Sequence, residues 1–297
     1  MSFISTLING ISLGSMYALI ALGYTMVYGI AKMLNFAHGD VIMVGGIVTF
    51  TAASSFGLHP AVSILLAVVV CTVLGVTIEK VAYSPLRRAS SLAVLITAIG
   101  VSYFLQNLVL LTFGTENKSY TFDFLKNMSW KINDSLTIGG ATIINIIAMV
   151  VIMIALNLFV NKTKPGHAML AVSEDRDAAI LMGINVNRTI SLTFAIGSAL
   201  AGIAGFMFLG TYTQIGAYSG TMPGIKAFTA AVFGGIGSIP GALIGGLFLG
   251  LIEQFSKSIL QNFQLSSLAD AIVFIVLILV LLIKPTGILG KKIDEKV

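Results

Sequence analysis

A succession of long apolar runs, separated by short polar segments, constrains this chain more than any other feature. Most of the runs have about the 17–25 residues that a helix needs to cross a bilayer, and three are shorter. A chain in lipid must satisfy its own backbone hydrogen bonds, which an α-helix does. We therefore predict an all-α polytopic transmembrane helical bundle with eight or nine membrane segments. The apolar runs cover residues 7–28, 41–56, 62–83, 92–113, 141–160, 190–212, 225–235, 242–255 and 268–283.

The composition excludes several other classes of protein. Hydrophobic residues make up 57% of the 297 residues and charged residues 10%, whereas a soluble domain has about 25% charged residues. A soluble enzyme and a disordered chain are therefore not expected, and a single cysteine, Cys71, rules out a disulfide scaffold. The net charge of +5 comes largely from basic residues beside apolar runs, so we expect a lipid bilayer and no nucleic acid as a partner. The first charged residue is Lys32, so no cleavable signal peptide is expected and the first span stays in place.

The run at residues 225–235 is the ambiguous membrane segment. It leads into a glycine-rich stretch, Gly234–Gly241, and is short for a span. Broken backbone at membrane depth is tolerated only where protein or a watery cavity satisfies the freed polar groups. We predict a half-helix that ends at irregular backbone. The candidate gate residues in this stretch are Gly234, Gly235, Gly237 and Gly241.

The distribution of Lys and Arg predicts the orientation, because these residues favour the cytoplasmic ends of spans. Twelve of the 17 fall in stretches that an alternating chain places on one side. With nine crossings the N-terminus lies outside and the C-terminus inside, and residues 1–297 form a single transmembrane domain. Residues 114–140 are then an external loop and residues 161–188 a cytoplasmic loop. If residues 225–235 re-enter instead of crossing, the side of the N-terminus changes.

Both loops carry local structure of their own. In the external loop, Trp130–Ile132 and Leu136–Ile138 flank a turn and predict a short hairpin. Its aromatic residues suit an interfacial anchor, with a docking surface for an external partner as the alternative. In the cytoplasmic loop we expect a short helix capped by Ser173 and ended by Gly183, lying against a partner.

Polar residues within apolar runs are candidate path residues, because lipid exposure would be costly for them. Asn35, His38 and Asp40 form the best cluster, either lining a path or making an interfacial turn. Buried amides are expected to bond to neighbouring helices, and acids near span ends to be hydrated or paired; these residues are Gln106, Asn107, Glu253 and Asp270. The three histidines are scattered and no ATP-binding motif occurs, so no metal or cofactor is expected and no catalytic residue is assigned.

Several segments together resemble a known family. Asp177-Ala178-Ala179, followed after three residues by Gly183, is similar to the EAA loop through which permeases of bacterial ABC importers dock onto their ATPases. It has Asp in place of Glu and lacks Leu-Pro after the glycine. Other stretches resemble the branched-chain amino-acid permeases of the LivH type, and the resemblance covers about residues 8–290. These stretches are Leu34–Asp40, Tyr83–Arg88, Gly183–Val186, Gly234–Ala242 and Lys284–Gly287.

The resemblance implies the ABC importer permease fold and a transport subunit in a bacterial inner (plasma) membrane. An extracytoplasmic amino-acid-binding protein would deliver a branched-chain amino acid. A second homologous permease would complete the path, and two cytoplasmic ABC ATPases would hydrolyse ATP, so this chain is not itself an enzyme. It further implies an ATPase-coupling role for Glu174, Asp177, Ala178, Ala179, Met182 and Gly183. The alternatives are a stand-alone secondary transporter or channel for small solutes and a purely structural membrane subunit.

Overall fold

The computed structural model describes residues 3–87, 89–133 and 136–290. These residues form α-helices with four very short strands. The helices are α1 (Phe3–Ala31), α2 (His38–Phe50), α3 (Pro60–Ile78), α4 (Ser91–Phe113), α5 (Asp123–Asn127), α6 (Gly140–Lys162), α7 (Lys164–Glu174), α8 (Arg176–Leu181), α9 (Val186–Tyr212), α10 (Thr221–Gly234), α11 (Ile239–Gln261) and α12 (Ala269–Ile283). The strands are β1 (Lys118–Ser119), β2 (Trp130–Asn133), β3 (Leu136–Ile138) and β4 (Gln214–Ile215).

Helical turns of other types extend some of these helices. The π-helical turns Thr51–Ser55 and Glu79–Tyr83 follow α2 and α3 without a break, and a 3₁₀ turn, Ser84–Leu86, follows the second of them. Another 3₁₀ turn, Ser266–Leu268, leads into α12. Such turns keep the backbone hydrogen-bonded where the regular α-helix ends.

Seven helices in the described part of the chain are long and apolar enough to cross a bilayer. They are α1, α3 with its extension to Leu86, α4, α6, α9, α11 and α12 with its preceding turn. The predicted count of eight or nine is therefore not confirmed. The other two predicted segments are α2, with 13 residues, and α10, with 14. At 1.5 Å per residue, α10 is about 20 Å long, which is less than the ~30 Å hydrocarbon core. Helix α2 is extended by the five-residue π-helical turn to Ser55.

Helix α1 is the centre of the bundle, packed against α9, α10 and α11. Its glycines allow this close packing: a Cβ atom on Gly14 would lie 2.7 Å from the Cα of Leu247, and one on Gly10 would lie 3.2 Å from the Cα of Leu251. Across the contact, a Cβ atom on Gly250 would collide with the backbone of Gly14. The four-residue glycine spacing thus serves helix packing within the chain.

Other helices surround this core and expose large apolar side chains. Examples from α3, α4, α6 and α12 are Leu65, Ile96, Val151 and Ile278. A broad apolar surface of this kind is stable in contact with lipid and not with water. The arrangement of a packed helical core inside an apolar outer layer is that of a multi-pass membrane protein.

The predicted hairpin is confirmed, since β2 pairs antiparallel with β3. Two residues of its turn, Asp134 and Ser135, lie outside the described residues. Strand β1 pairs with β4, which joins the 114–140 loop to the segment after α9. Because α6 connects the 114–140 loop to the 161–188 loop, the two loops lie at opposite ends of a membrane-length helix.

Candidate functional site

The 161–188 loop contains two short helices rather than the single helix predicted from Ser173. Helix α7 begins after Thr163, whose hydroxyl accepts a hydrogen bond from the Gly166 N–H at 3.1 Å. Ser173 lies inside α7 and donates to the carbonyl of Leu170 at 2.7 Å, so its prediction as a cap is wrong. Asp175 caps α8 instead, accepting from the N–H groups of Asp177 and Ala178 at 2.9 and 3.0 Å.

The predicted end of the second helix at Gly183 is confirmed. Gly183 has φ +80°, a left-handed conformation that a residue with a Cβ atom adopts only with strain. Its N–H donates to the Ile180 carbonyl at 2.9 Å, and the Ile184 N–H donates to the Ala179 carbonyl at 3.0 Å. This pair of bonds is a Schellman motif, which fixes the direction in which the chain leaves α8 for α9.

An apolar tip, defined as Ile180, Leu181 and Met182, projects from the end of α8. Leu181 is 88% exposed and Met182 82% exposed, although both side chains are large and apolar. Glu174, Asp177 and Ala178 are also exposed. Ala179 is only 3% exposed and packs into the protein, so the predicted outward face of this helix is wrong at Ala179 and fits the structure at Ala178 and Met182.

Two basic residues connect the 161–188 loop to the ends of neighbouring helices. Arg176 donates a hydrogen bond to the carbonyl of Ala31, the last residue of α1. Arg87 forms an ion pair with Glu79 and also donates to the side-chain oxygen of Asn187. The loop and the ends of α1 and α3 therefore lie at one end of the bundle, where much of the positive charge is collected.

The Gly234–Gly241 stretch has irregular backbone, as predicted. Gly235 and Gly237 have φ values of +102° and +96°. A Cβ atom on Gly234 would collide with the carbonyl of Gly241, so the end of α10 and the start of α11 are in backbone contact. Ser238 caps α11 through the Gly241 N–H at 3.2 Å.

The C-terminal segment completes the hydrogen bonding of this break. The N–H groups of Ile288 and Leu289 donate to the carbonyls of Phe233 and Gly234, each at 2.9 Å. These are carbonyls at the end of α10, which a helix cannot satisfy by itself. The same break touches α1, because a Cβ atom on Gly29 would lie 3.1 Å from the Cα of Gly237.

The side chains of Asn35, His38 and Asp40 contact three different neighbouring side chains. Asn35 accepts a hydrogen bond from the Tyr83 hydroxyl at 2.9 Å, whereas Asp40 accepts from Gln106 Nε2 at 2.9 Å. The His38 ring packs edge-on against Tyr24, and its Nε2 has no hydrogen-bond partner among the described residues. All three are buried, so each secures a helix contact. A role as path residues remains a prediction.

A four-residue charge cluster, defined as Lys226, Glu253, Lys257 and Asp270, joins α10, α11 and α12. Glu253 Oε1 accepts from Lys226 at 2.9 Å and from Lys257 at 2.6 Å, while Lys226 also donates to Asp270 at 2.7 Å. The Tyr17 hydroxyl donates to Glu253 Oε2 at 2.9 Å. Glu253 and Asp270 were expected to be hydrated or paired, and each is paired with a lysine.

Sequence reasoning missed the buried lysine of this cluster. Lys226 is one of the five basic residues that the predicted orientation leaves on the external side, but it lies inside α10 and is 6% exposed. Its partners are 27 and 44 residues further along the chain. These partners become apparent only when α10, α11 and α12 are packed together. The one signal in the sequence was a lysine at the start of an otherwise apolar run.

The sequence agrees with a known transport family along nearly its whole length. Residues 6–281 match the family described as "Branched-chain amino acid transport system / permease component". The chain belongs to this permease family. The resemblance in the sequence motifs is thereby confirmed.

Individual relatives extend the same agreement. The chain is 45% identical to the high-affinity branched-chain amino acid transport system permease protein LivH of Escherichia coli (strain K12), over 99% of this chain and 98% of the relative. It is 42% identical to the corresponding permease protein BraD of Pseudomonas aeruginosa, with the same coverage. It is 30% identical to the probable branched-chain amino acid transport permease protein LivH of Methanocaldococcus jannaschii, over 93% and 89% of the two chains. The similarity therefore extends over nearly the whole length of this chain and of these relatives.

Proposed function

We propose that this chain is the membrane-spanning permease subunit of an ATP-driven importer for branched-chain amino acids in a bacterial inner membrane. The observation that carries the proposal is agreement with branched-chain amino-acid permeases over 99% of the chain, at 45% identity to one of them. Its proposed partners are a second homologous permease, two cytoplasmic ABC ATPases and an extracytoplasmic amino-acid-binding protein. ATP hydrolysis takes place on the ATPases.

The proposed contact with an ATPase is the apolar tip of α8. Leu181 and Met182 would be costly to hold in water, and a hydrophobic groove on a partner would cover them. A six-residue helix is not stable by itself, but α8 is held at both ends by the Asp175 cap and the Gly183 motif. The tip is therefore presented as a preformed surface, with Glu174, Asp177 and Ala178 beside it.

The proposed orientation places this tip in the cytoplasm. Lys162, Lys164, Arg176 and Arg188 lie in or beside the loop, and Arg87 bonds to its last segment. Basic residues at one end of the spans favour the cytoplasmic side. The 114–140 loop, at the other end of α6, is then external and faces the binding protein.

The proposed gate is the glycine break at Gly234–Gly241. Two observations support this role. The backbone is irregular at the junction of two helices, and the break contacts α1 at Gly29. ATP binding shifts the balance between inward-open and outward-open states, and the break is where α10 and α11 change their relative position. Asn35, His38 and Asp40 hold the beginning of α2 against neighbouring helices through Tyr83, Tyr24 and Gln106.

Copurification and reconstitution test the proposal. The permease is isolated from native membranes under mild conditions, and its companions are identified by mass spectrometry. We expect an ATPase and a second permease. The complex in proteoliposomes should take up leucine only with the binding protein and ATP. Uptake by the isolated chain, driven by an ion gradient without ATP, would instead establish a stand-alone secondary transporter.

A further inference from the structure

An α-amino acid presents a special problem to a membrane path because it carries a carboxylate and an ammonium group at the same time. Each full charge is costly to bring into the membrane without a partner. A path for such a cargo therefore needs groups of both signs close together, beside a space large enough to admit it. This requirement follows from the proposed function, and the inference below rests on it.

Four charged side chains are buried in the described part of the chain, namely Asp40, Glu79, Lys226 and Glu253. The carboxylate of Asp40 is bonded to a neutral amide, and that of Glu79 is paired with Arg87 at the end of the bundle that carries the 161–188 loop. The remaining two belong to the charge cluster. That cluster alone continues outward to a half-exposed ammonium, on Lys257, and a half-exposed carboxylate, on Asp270.

An open cleft of about 460 Å³ adjoins the cluster. Its lining consists entirely of hydroxyl, amide and ammonium side chains: Gln254, Lys257, Ser258, Gln261, Ser266 and Ser267. Lys257 belongs to both the cleft and the cluster, and Asp270 follows three residues after Ser267 in the first turn of α12. The cleft is large enough for an amino acid and lined by groups that can replace its water shell.

The position of the cleft suits entry from outside. The hydroxyls of Ser258 and Thr6 are 3.4 Å apart, which places the cleft beside the start of α1. The other end of α1, at Ala31, is bonded to Arg176 of the 161–188 loop. Helix α1 has 29 residues and is about 43 Å long, so the cleft and the coupling helix lie on opposite sides of the membrane.

The two exposed members of the cluster have hydrogen-bonding capacity to spare. An ammonium has three N–H donors, and Lys257 uses one of them for Glu253 among the described residues. Asp270 accepts from Lys226 through Oδ1, and Oδ2 has no partner in the same part of the chain. Glu253 accepts from two lysines and Tyr17, so it holds the lysines in place.

We propose that this cleft binds the zwitterionic head of a neutral α-amino acid. Lys257 receives the carboxylate of the amino acid, and Asp270 receives its ammonium group. Lys226 and Glu253 are positioning residues that keep these two charges apart and correctly placed. The site is the first station of the cargo inside the permease, after release from the binding protein.

Cysteine protection tests the site directly in the assembled importer complex in nanodiscs. The permease carries Ser258→Cys in a Cys71→Ala background and is treated with an impermeant thiol reagent. We expect millimolar L-leucine to slow the labelling. Leucine amide, which lacks the carboxylate, and 4-methylpentanoate, which lacks the ammonium, should not slow it. Ser119→Cys in the 114–140 loop is the control and should be labelled at the same rate with and without leucine.

Charge variants complete the test. Lys257→Gln should raise the leucine concentration needed for protection by roughly tenfold, since a charge-assisted hydrogen bond is lost, and Lys257→Arg should restore it. Labelling that is indifferent to leucine, or protection that survives Lys257→Gln and Asp270→Asn, overturns the assignment. If Lys257→Gln fails to assemble, the comparison of leucine with its two analogues still decides. Leucine uptake by the unmodified complex tests the proposed function separately, so the two failures are distinguishable.

Discussion

The guanidinium of Arg176 donates a hydrogen bond to the carbonyl oxygen of Ala31, so the first residue of α8 is tied to the last residue of α1. That carbonyl is one of those a helix leaves unsatisfied at its end, and a cation there also complements the helix dipole. In the same last turn, Gly29 packs against Gly237 of the glycine break. One helix end thus touches both the proposed coupling helix and the proposed gate.

This link predicts that Arg176→Gln impairs substrate-stimulated ATP hydrolysis and transport without loss of the bound ATPases. The Ala31 carbonyl loses its charged donor, a contact worth about 1.5–3 kcal/mol in typical cases. We expect the ATPases to remain bound while substrate-stimulated ATP hydrolysis and leucine uptake fall together. Arg188→Gln is the matched control, because Arg188 is an exposed arginine of the same loop. Stimulation that stays at the unmodified level in Arg176→Gln would show that movement of α8 does not pass through α1.

The apolar tip predicts where the ATPase is held. Burying a leucine side chain is worth about 1.5–3 kcal/mol, so Leu181→Ser should weaken retention of the ATPase by roughly tenfold or more. Retention is measured by copurification and by titration of purified ATPase onto the permease in nanodiscs. Leu265→Ser, at an exposed leucine after α11, should leave retention unchanged.

Ala179 provides the contrasting case on the same helix. Its side chain packs inward, so Ala179→Trp should overfill the contact of α8 with the protein itself and lower the yield of folded permease. A normal yield of Ala179→Trp with selective loss of the ATPase would mean that Ala179 faces the partner after all.

Sequence reasoning succeeded where the signal is local. Gly183 and the Gly234–Gly241 stretch were recognisable because positive φ angles demand glycine, and the hairpin because its strands are separated by a short turn. It failed where two local choices compete. Ser173 and Asp175 are both good cap residues, and the start of α7 at Thr163 decided between them.

Contacts between distant segments were beyond the reach of the sequence. Lys226 is buried because it pairs with Glu253 and Asp270. Asn35 and Asp40 each bond to a distant residue, Tyr83 and Gln106 respectively. The predicted count of eight or nine spans is not confirmed for a related reason. Apolar composition reports burial in lipid or in protein alike, and α2 and α10 are short helices enclosed by other helices.

The glycine break predicts two different outcomes for two neighbouring glycines. A Cβ atom on Gly234 collides with the Gly241 carbonyl, so Gly234→Ala should lower the yield of assembled complex. A Cβ atom on Gly237 meets only the Cα of Gly29, at 3.5 Å, so the main obstacle there is the backbone angle, at about 1–2 kcal/mol. Gly237→Val should therefore insert and assemble, yet lose uptake because the break is held in a strained conformation.

Gly100→Ala is the control for these two variants. Gly100 lies inside α4, and a Cβ atom there has nothing within 4 Å among the described residues, so the alanine should be tolerated in both assays. Membrane yield is measured by immunoblot and uptake by radiolabelled leucine in vesicles. Full uptake by Gly237→Val would show that the glycine break is not part of the gate. Loss of both yield and uptake would show that the break serves helix packing only.

The orientation of the two long loops can be tested by labelling single cysteines. In a Cys71→Ala background, Ser119→Cys marks the 114–140 loop and His167→Cys marks the 161–188 loop, and both positions are exposed. An impermeant thiol reagent added to intact cells should modify the first and not the second, because basic residues collect at the cytoplasmic end. Permeabilised cells should show both, which establishes that each thiol is reactive. If His167→Cys alone were modified in intact cells, the orientation of the permease would be the reverse of the proposed one. The apolar tip of α8 could then contact no cytoplasmic ATPase.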